Sequence, residues 1–500
     1  MNIKRAKQEI KDAIEAYLLK DEEGNYEIPA IRQRPIFLIG APGIGKTQIM
    51  EQIARECSLG LVSYTITHHT RQSAIGLPFI SKNMYGNKEY SVTEYTMSEI
   101  IASVYNQIEE TGLKEGILFI DEINCVSETL APAMLQFLQC KTFGNHAVPE
   151  GWVIVAAGNP AEYNKSVREF DVVTMDRVKK IEVQPEFAVW KEYAYVQDIH
   201  PGVIAYLTAR GNYFYQMETT VDGMFFATPR GWEDLSRLIQ VYEKLGKTVD
   251  REVVQQYIQY PKIAKDFANY LELYYKYQAD YQIEEVMNGK IDPILVKKLG
   301  HASFDERLSV VSLVLARTTE GFRNVYRKEA CMTMLLQTLQ ELKEGLLDGA
   351  DAELLVTDVI KKVQDTLATK QKAKILNREE GYALRSTIEH LETYQKMIKA
   401  ERLVDNTEIF EFLRGKFAEE NELYQDMIDA AGEKLEYAFD FMEYAFGNTQ
   451  EMTAFVTELN TNFYSIQFLQ NYDCERYYQY NKNLLFDEKR RGIINRIENL

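Results

Sequence analysis

The chain is 500 residues long and 46% hydrophobic, with 32 Tyr and 23 Phe, a content that fills roughly two to four domain cores and includes no apolar run near the roughly 18 residues a membrane span needs. Its formal charge of −18 repels a polyphosphate backbone, so protein partners are expected ahead of nucleic acid, with no membrane partner. The five cysteines (Cys57, Cys125, Cys140, Cys331, Cys474) are scattered, form no CxxC pair and have no His at ligand spacing, which predicts reduced thiols and no zinc.

The first element is an amphipathic helix carrying Ile3, Ala6, Ile10, Ile14, Tyr17 and Leu18 on one face. It has neither an apolar signal core nor a small-residue cleavage site, so the expected location is cytoplasmic. Next comes a strand over Pro35 to Ile39, then Gly40-Ala41-Pro42-Gly43-Ile44-Gly45-Lys46-Thr47, then a helix over Gln48 to Cys57. Strand, glycine-rich turn and helix in that order form a phosphate cradle. The glycines let backbone N–H groups close on a triphosphate, Lys46 can reach the β- and γ-phosphates, and the Thr47 hydroxyl can ligate Mg²⁺ at the positive end of a helix.

A second buried strand is read at Leu61 to Ile66. Gly76 to Tyr95 reads as two β-rich pieces around a Tyr85-Gly86-Asn87-Lys88 turn, a hairpin that either decorates the surface or grips a substrate or partner. Gly116-Ile117-Leu118-Phe119-Ile120 then runs into Asp121 and Glu122. A carboxylate at a strand's end can hold the Mg²⁺ shell, so Asp121 joins Thr47 as a metal ligand. Its neighbour Glu122 can orient and deprotonate the attacking water. A Glu beside the Asp favours ATP hydrolysis over kinase or small-GTPase variants of the cradle. A third apolar strand, Trp152 to Ala157, ends in Gly158-Asn159-Pro160. The Asn159 amide is expected between the two earlier strand ends, within reach of the water or the γ-phosphate.

Together GAPGIGKT, ILFIDEIN and VIVAAGNP resemble the AAA+ ATPases, and within them the MoxR-like, dynein-related (AAA_5-type) branch. The resemblance extends to Met175-Asp176-Arg177-Val178, similar to the family's LDRF, which implies that Arg177 is an arginine finger reaching a neighbouring subunit. Val178 stands where Phe is usual, and Arg168 is the nearest competitor for the role. Ala227-Thr228-Pro229-Arg230-Gly231-Trp232 is similar to the branch's SPR motif, implying that Arg230 contacts the γ-phosphate in cis from the start of a lid helix. Ile199 to Leu207 resembles the first lid helix, with His200 a capping or surface residue. Such a family member would be a ring, usually a hexamer, binding ATP and Mg²⁺. Its hairpin near Gly86 would be a lever or pore element, and its partners a protein client and a von Willebrand factor A domain protein.

From roughly residue 275 the pattern is helical and outside the resemblance. Val356, Ile360, Val363 and Leu367 share one face, as do Leu435, Phe439, Met442 and Phe446. Breaks are expected near Asp292-Pro293, Gly345 to Gly349, Gly381 and Gly447-Asn448. The aromatic end (Tyr464, Phe468, Tyr472, Tyr477, Tyr478, Tyr480, Phe486) reads as helical core with a tyrosine rim, or as a docking surface. The expected fold is an α/β P-loop core with a parallel sheet over 1–185, a helical lid over 186–275 and an all-α C-terminal domain over 276–500. The expected function is a protein-remodelling, chaperone-like ATPase. The alternatives are a nucleic-acid-associated AAA+ motor, for which only Lys179-Lys180 and Lys489-Arg490-Arg491 offer basic clusters, and a nucleotide-gated scaffold, against which Glu122 argues.

Overall fold

The structure, a computed structural model, describes residues 1–68, 74–163, 167–168, 170–221 and 223–482. The chain divides into two units, Met1–Val189 with Asp365–Asn377, and Trp190–Gln364 with the chain from Arg378 onward.

The first unit begins with helix α1 (Ile3–Leu18), started by the Asn2 side chain, which accepts from the Arg5 N–H at 2.8 Å, and burying Ala6, Ile10, Ala13 and Ile14. Five strands make its sheet: β1 (Ile36–Gly40), β2 (Gly60–Thr65), β5 (Gly116–Asp121), β8 (Trp152–Gly158) and β9 (Lys179–Val183), in the spatial order β2-β5-β8-β1-β9 and all parallel. The middle strands are continuous apolar runs because both faces are covered, and every residue of β8 is buried. Helices α2 (Lys46–Glu56), α3 (Glu99–Thr111) and α4 (Ala131–Cys140) connect them, and α5 (Val172–Met175) precedes β9. Fully buried Ile100, Leu118, Ile120, Phe137 and Ile154 belong to one core cluster, which Val178 joins; the smaller side chain at 178 is thus accommodated inside.

Strand β9 is the edge that the sequence did not announce. In Lys-Lys-Ile-Glu-Val only Ile181 and Val183 point inward, so charge alternation masks a strand that completes β1's pairing, and Lys179-Lys180 is part of it rather than a basic patch. The hairpin is present: β3 (Pro78–Tyr85) pairs antiparallel with β4 (Lys88–Tyr95) in full register. A second small ribbon, β6 (Thr142–Phe143) with β7 (His146–Ala147), follows α4.

Helix α6 (Phe187–Val196) carries the boundary between the units. The second unit continues with α7 (Pro201–Ala209), the ribbon β10 (Gln216–Thr220) with β11 (Gly223–Ala227), α8 (Pro229–Lys244), α9 (Arg251–Tyr257) and α10 (Pro261–Asp280). Then come α11 (Ile283–Val286), α12 (Pro293–Gly300), α13 (Phe304–Leu347), α14 (Ala352–Lys372), α15 (Arg378–Glu401), α16 (Asn406–Phe446), α17 (Gln450–Thr461) and α18 (Phe463–Asn471). Position 275 falls inside α10, and the 190s are tied to the far end of the chain: Lys191 pairs with Glu458 of α17, and Tyr195 donates to the same carboxylate at 2.5 Å.

Helix α13, with 44 residues, is about 66 Å long at the usual rise. Leu335, Leu339, Leu342 and Leu346 along it meet Val356, Ile360, Leu391 and Leu413 from α14, α15 and α16. The break expected at Gly345 to Gly349 is present: α13 stops at Leu347 and Gly349 is left-handed (φ 82°), while Gly345 itself sits within α13 against Leu355. The break expected near Gly381 falls just before it, at 373–377, and Gly381 is buried within the first turn of α15. Asp292 caps α12 and Gly447 ends α16 as expected. The aromatic end follows the helical-core reading: Tyr464 and Phe468 are buried, Tyr480 stacks on Phe439 and Tyr478 is exposed, while Phe486 and Lys489-Arg490-Arg491 lie outside the described residues.

One buried charge in the first unit has a measurable consequence. Lys141 ends α4 in the left-handed region (φ 58°), and its Nζ is buried with Gln33 Oε1 at 3.4 Å as acceptor. Burial pulls its ammonium down to about 8. The folded value lies below the unfolded one, so between pH 8 and 10.5 the unfolded chain binds more protons and stability rises with pH; below pH 8 the penalty, about 3 kcal/mol at that shift, is present in full. Lys141→Met is therefore expected to stabilise the protein by about 1–3 kcal/mol at pH 7 and to flatten that rise, read by denaturant unfolding across pH.

Candidate active site

Strand order decides what meets at the sheet's carboxyl edge. Strand β8 lies between β5 and β1, so the ends carrying Asp121, Asn159 and Gly40 are neighbours, with Asn159 in the middle as the sequence implied.

The turn from Gly40 to Thr47 takes its shape from Gly43 and Gly45, whose φ angles of 76° and 93° only glycine adopts without strain. Gly45 starts α2, and no side chain caps that helix, whereas Asn2, Ser98, Asp171 and Thr228 cap α1, α3, α5 and α8. The amino end of that helix, with its positive dipole, thus opens onto the turn. Lys46 is buried, and its Nζ donates to Gly40 O at 2.7 Å, Ala41 O at 2.9 Å and Asn159 Oδ1 at 2.8 Å. Thr47 Oγ1 donates to Asp121 Oδ2 at 3.1 Å. One hydroxyl beside one carboxylate fits the small, water-retaining shell of Mg²⁺.

Asp121 Oδ1 also accepts from the Glu122 N–H at 2.9 Å, which braces Glu122 in the left-handed region (φ 57°). A non-glycine residue there costs about 1–3 kcal/mol, and the strain turns the chain sharply from β5 into the short helical turn Ile123–Cys125. Cys125 registers the charges: burial raises its thiol pKa, Glu122 and Asp121 add to that, and Lys46 opposes it.

The structure thus brings Lys46, Thr47, Asp121 and Asn159 into direct contact, with Glu122 next in chain. The arginines are placed differently. Arg177 is exposed after α5 and donates to Gln139 of α4; Arg168 pairs with Glu128 at 2.6 Å. Arg230 is exposed in the first turn of α8, where Thr228 accepts from Gly231 N–H at 3.2 Å, and belongs to the second unit. His200 is a buried cap: its Nδ1 accepts from Gly202 N–H, leaving the proton on Nε2 for Glu243 at 3.0 Å. The residue that the sequence left without a role is Asn124, buried beside Asn159 and bonded to it. Its signal was the Asn two positions after Glu122, facing a glycine that interrupts an apolar strand end.

Residues 36–176 match the family described as "ATPase family associated with various cellular activities (AAA)". That stretch is an AAA-family domain. Membership implies nucleotide binding by the domain, and the five-stranded parallel sheet with its P-loop, followed by a mostly helical region, is the architecture observed. No curated protein matches the chain. Among solved structures, a candidate ATPase from Cytophaga hutchinsonii aligns over 36% of this chain and 51% of its own, at 18% identity and a TM-score of 0.21. This chain therefore spans about half of that protein's length, and a likeness of that degree carries no argument. Among the described residues no helix is long and apolar enough to cross a membrane.

Removing the Lys46 ammonium takes away a charge-assisted donor to phosphate oxygens, so Lys46→Ala is expected to weaken ATP binding by about 10–100-fold or more in calorimetric titration. Asp121→Asn should leave metal-free nucleotide binding within about threefold of wild type and remove most of its enhancement by Mg²⁺.

Proposed function

We propose that the chain is a cytoplasmic, Mg²⁺-dependent ATP phosphohydrolase of MoxR type, working as a homo-hexameric ring that remodels, activates or assembles a protein client together with a von Willebrand factor A domain partner. The observation that carries the hydrolytic part is the cluster Lys46–Asn159 and Thr47–Asp121 at the ends of three adjacent strands, with Glu122 beside it.

In this reading the amides of 43–47 and the Lys46 ammonium bind the β- and γ-phosphates. Thr47 and Asp121 would hold Mg²⁺, which supplies positive charge to the phosphate oxygens when bound. Glu122 takes the proton of the attacking water, and the Asn159 amide orients that water or the γ-phosphate. Arg177, rather than Arg168, reaches a neighbouring subunit's γ-phosphate, and Arg230 acts in cis from the lid, residues 186–275, with 276–500 as the assembly domain.

The client class rests on charge and surface. The formal charge of −18 disfavours nucleic acid, and the hairpin β3–β4 exposes Ile80 at 76%, Met84 at 65% and Tyr85 at 59%, apolar groups suited to polypeptide.

Glu122→Gln is expected to keep nucleotide affinity and lower kcat about 100-fold or more, measured by phosphate release. Undiminished turnover would remove Glu122 from the reaction. Mixing Arg177→Ala with Lys46→Ala subunits should restore part of the hydrolysis that neither has alone, because mixed rings contain intact site pairs. If no mixture recovers activity, the finger in trans is not Arg177. Binding of duplex DNA that weakens steeply with salt would favour the motor alternative.

A further inference from the structure

We propose that Asn124 is a positioning residue for this site, a clamp that fixes the Asn159 peptide so that the Asn159 amide stays aimed at Lys46 and the γ-phosphate region; this rests on the ATPase reading above. Both ends of its carboxamide are used on the backbone of one residue, Asn159, and so hold the two peptide groups that flank its Cα. Nδ2 donates to Asn159 O at 2.7 Å, and Oδ1 accepts from the Asn159 N–H at 3.3 Å. The side chain is 5% exposed, so neither bond has water as an easy substitute.

The clamp is anchored on its own backbone too. Asn124 O accepts from the Arg168 N–H at 2.9 Å, and the residue sits in the turn that Glu122's left-handed backbone creates. The approach needs glycine on the other strand: a Cβ at 158 would lie 2.5 Å from Asn124 Oδ1. Asn159 Oδ1 then accepts from Lys46 Nζ at 2.8 Å, completing a connection from β5 through β8 to the cradle. Only a carboxamide both donates and accepts at this spacing. Aspartate lacks the donor and leucine lacks both groups.

The test uses the full chain, ATP turnover, and binding of a non-hydrolysable ATP analogue. Asn124→Ala is expected to lower kcat about 10–100-fold, with analogue affinity within about threefold of wild type, since it misplaces a group rather than removing one that binds phosphate. Gly158→Ala deletes no functional atom yet should reproduce that split by displacing the carboxamide. Because Asn124 acts through Asn159, the double variant Asn124→Ala/Asn159→Ala should be no slower than Asn159→Ala by more than about twofold. Multiplied effects in the double variant, or unchanged kcat in Gly158→Ala, would overturn the clamp. Equal loss of affinity and folding in both single variants would make Asn124 a packing residue and overturn it as well. If Asn124→Ala does not fold, Gly158→Ala carries the test by the same split. Loss of turnover in Glu122→Gln without loss in Asn124→Ala or Gly158→Ala brings down the clamp alone; turnover that survives Glu122→Gln brings down the ATPase reading, and the clamp with it.

Discussion

A buried ammonium and the oxygens that accept from it are the constraint around which the carboxyl edge of the sheet is arranged. Lys46 is 8% exposed, and its acceptors include two carbonyls of the turn it closes and the side-chain oxygen of Asn159 at the end of the neighbouring strand. Leaving a cation in such a place without acceptors would be prohibitive, so the glycine-shaped turn, the end of β8 and the start of α2 are fixed relative to one another before any ligand arrives. The carbonyl and carboxamide dipoles hold the ammonium at the mouth of the turn, where a phosphate would meet it.

Much of this was legible because the relevant strands are buried on both faces. Ile36 to Ile39, Ile117 to Ile120 and Val153 to Ala157 are uninterrupted apolar runs that end in the polar groups the chemistry needs, and the sequence names both run and ending. Strand β9 was hidden for the opposite reason, since an edge strand with charged outward residues has no run to detect. Asn124 was hidden because its meaning lies in a partner 35 residues away. The arginines show a further limit: a motif singles out Arg177, with Arg168 as its competitor, but not Gln139 and Glu128, the groups they bond to.

In the helical half, glycine has two unlike uses. At Gly447 it ends a helix. At Gly345 and Gly381 it sits inside one, the former where a Cβ would lie 2.6 Å from Leu355, so absence of volume rather than backbone freedom is the reason for it. Sequence periodicity finds the apolar faces of α13 to α16 but not which of them face one another, and that pairing turns the tail of the chain into a unit that begins at Trp190.

Among the described residues the ribbon β3–β4 pairs with no third strand, and its eight rungs are closed by a Gly86-Asn87 turn. A two-stranded ribbon is marginal by itself, so its order is largely a local matter, apart from its base, where His146 Nε2 meets Tyr95 O at 3.0 Å. Little of the folding free energy of the five-stranded sheet passes through it. Its length and its outward side chains are thus free to drift while the cradle beneath stays constant, which makes the ribbon the place where two otherwise equal chains of this kind would come to differ in what they touch.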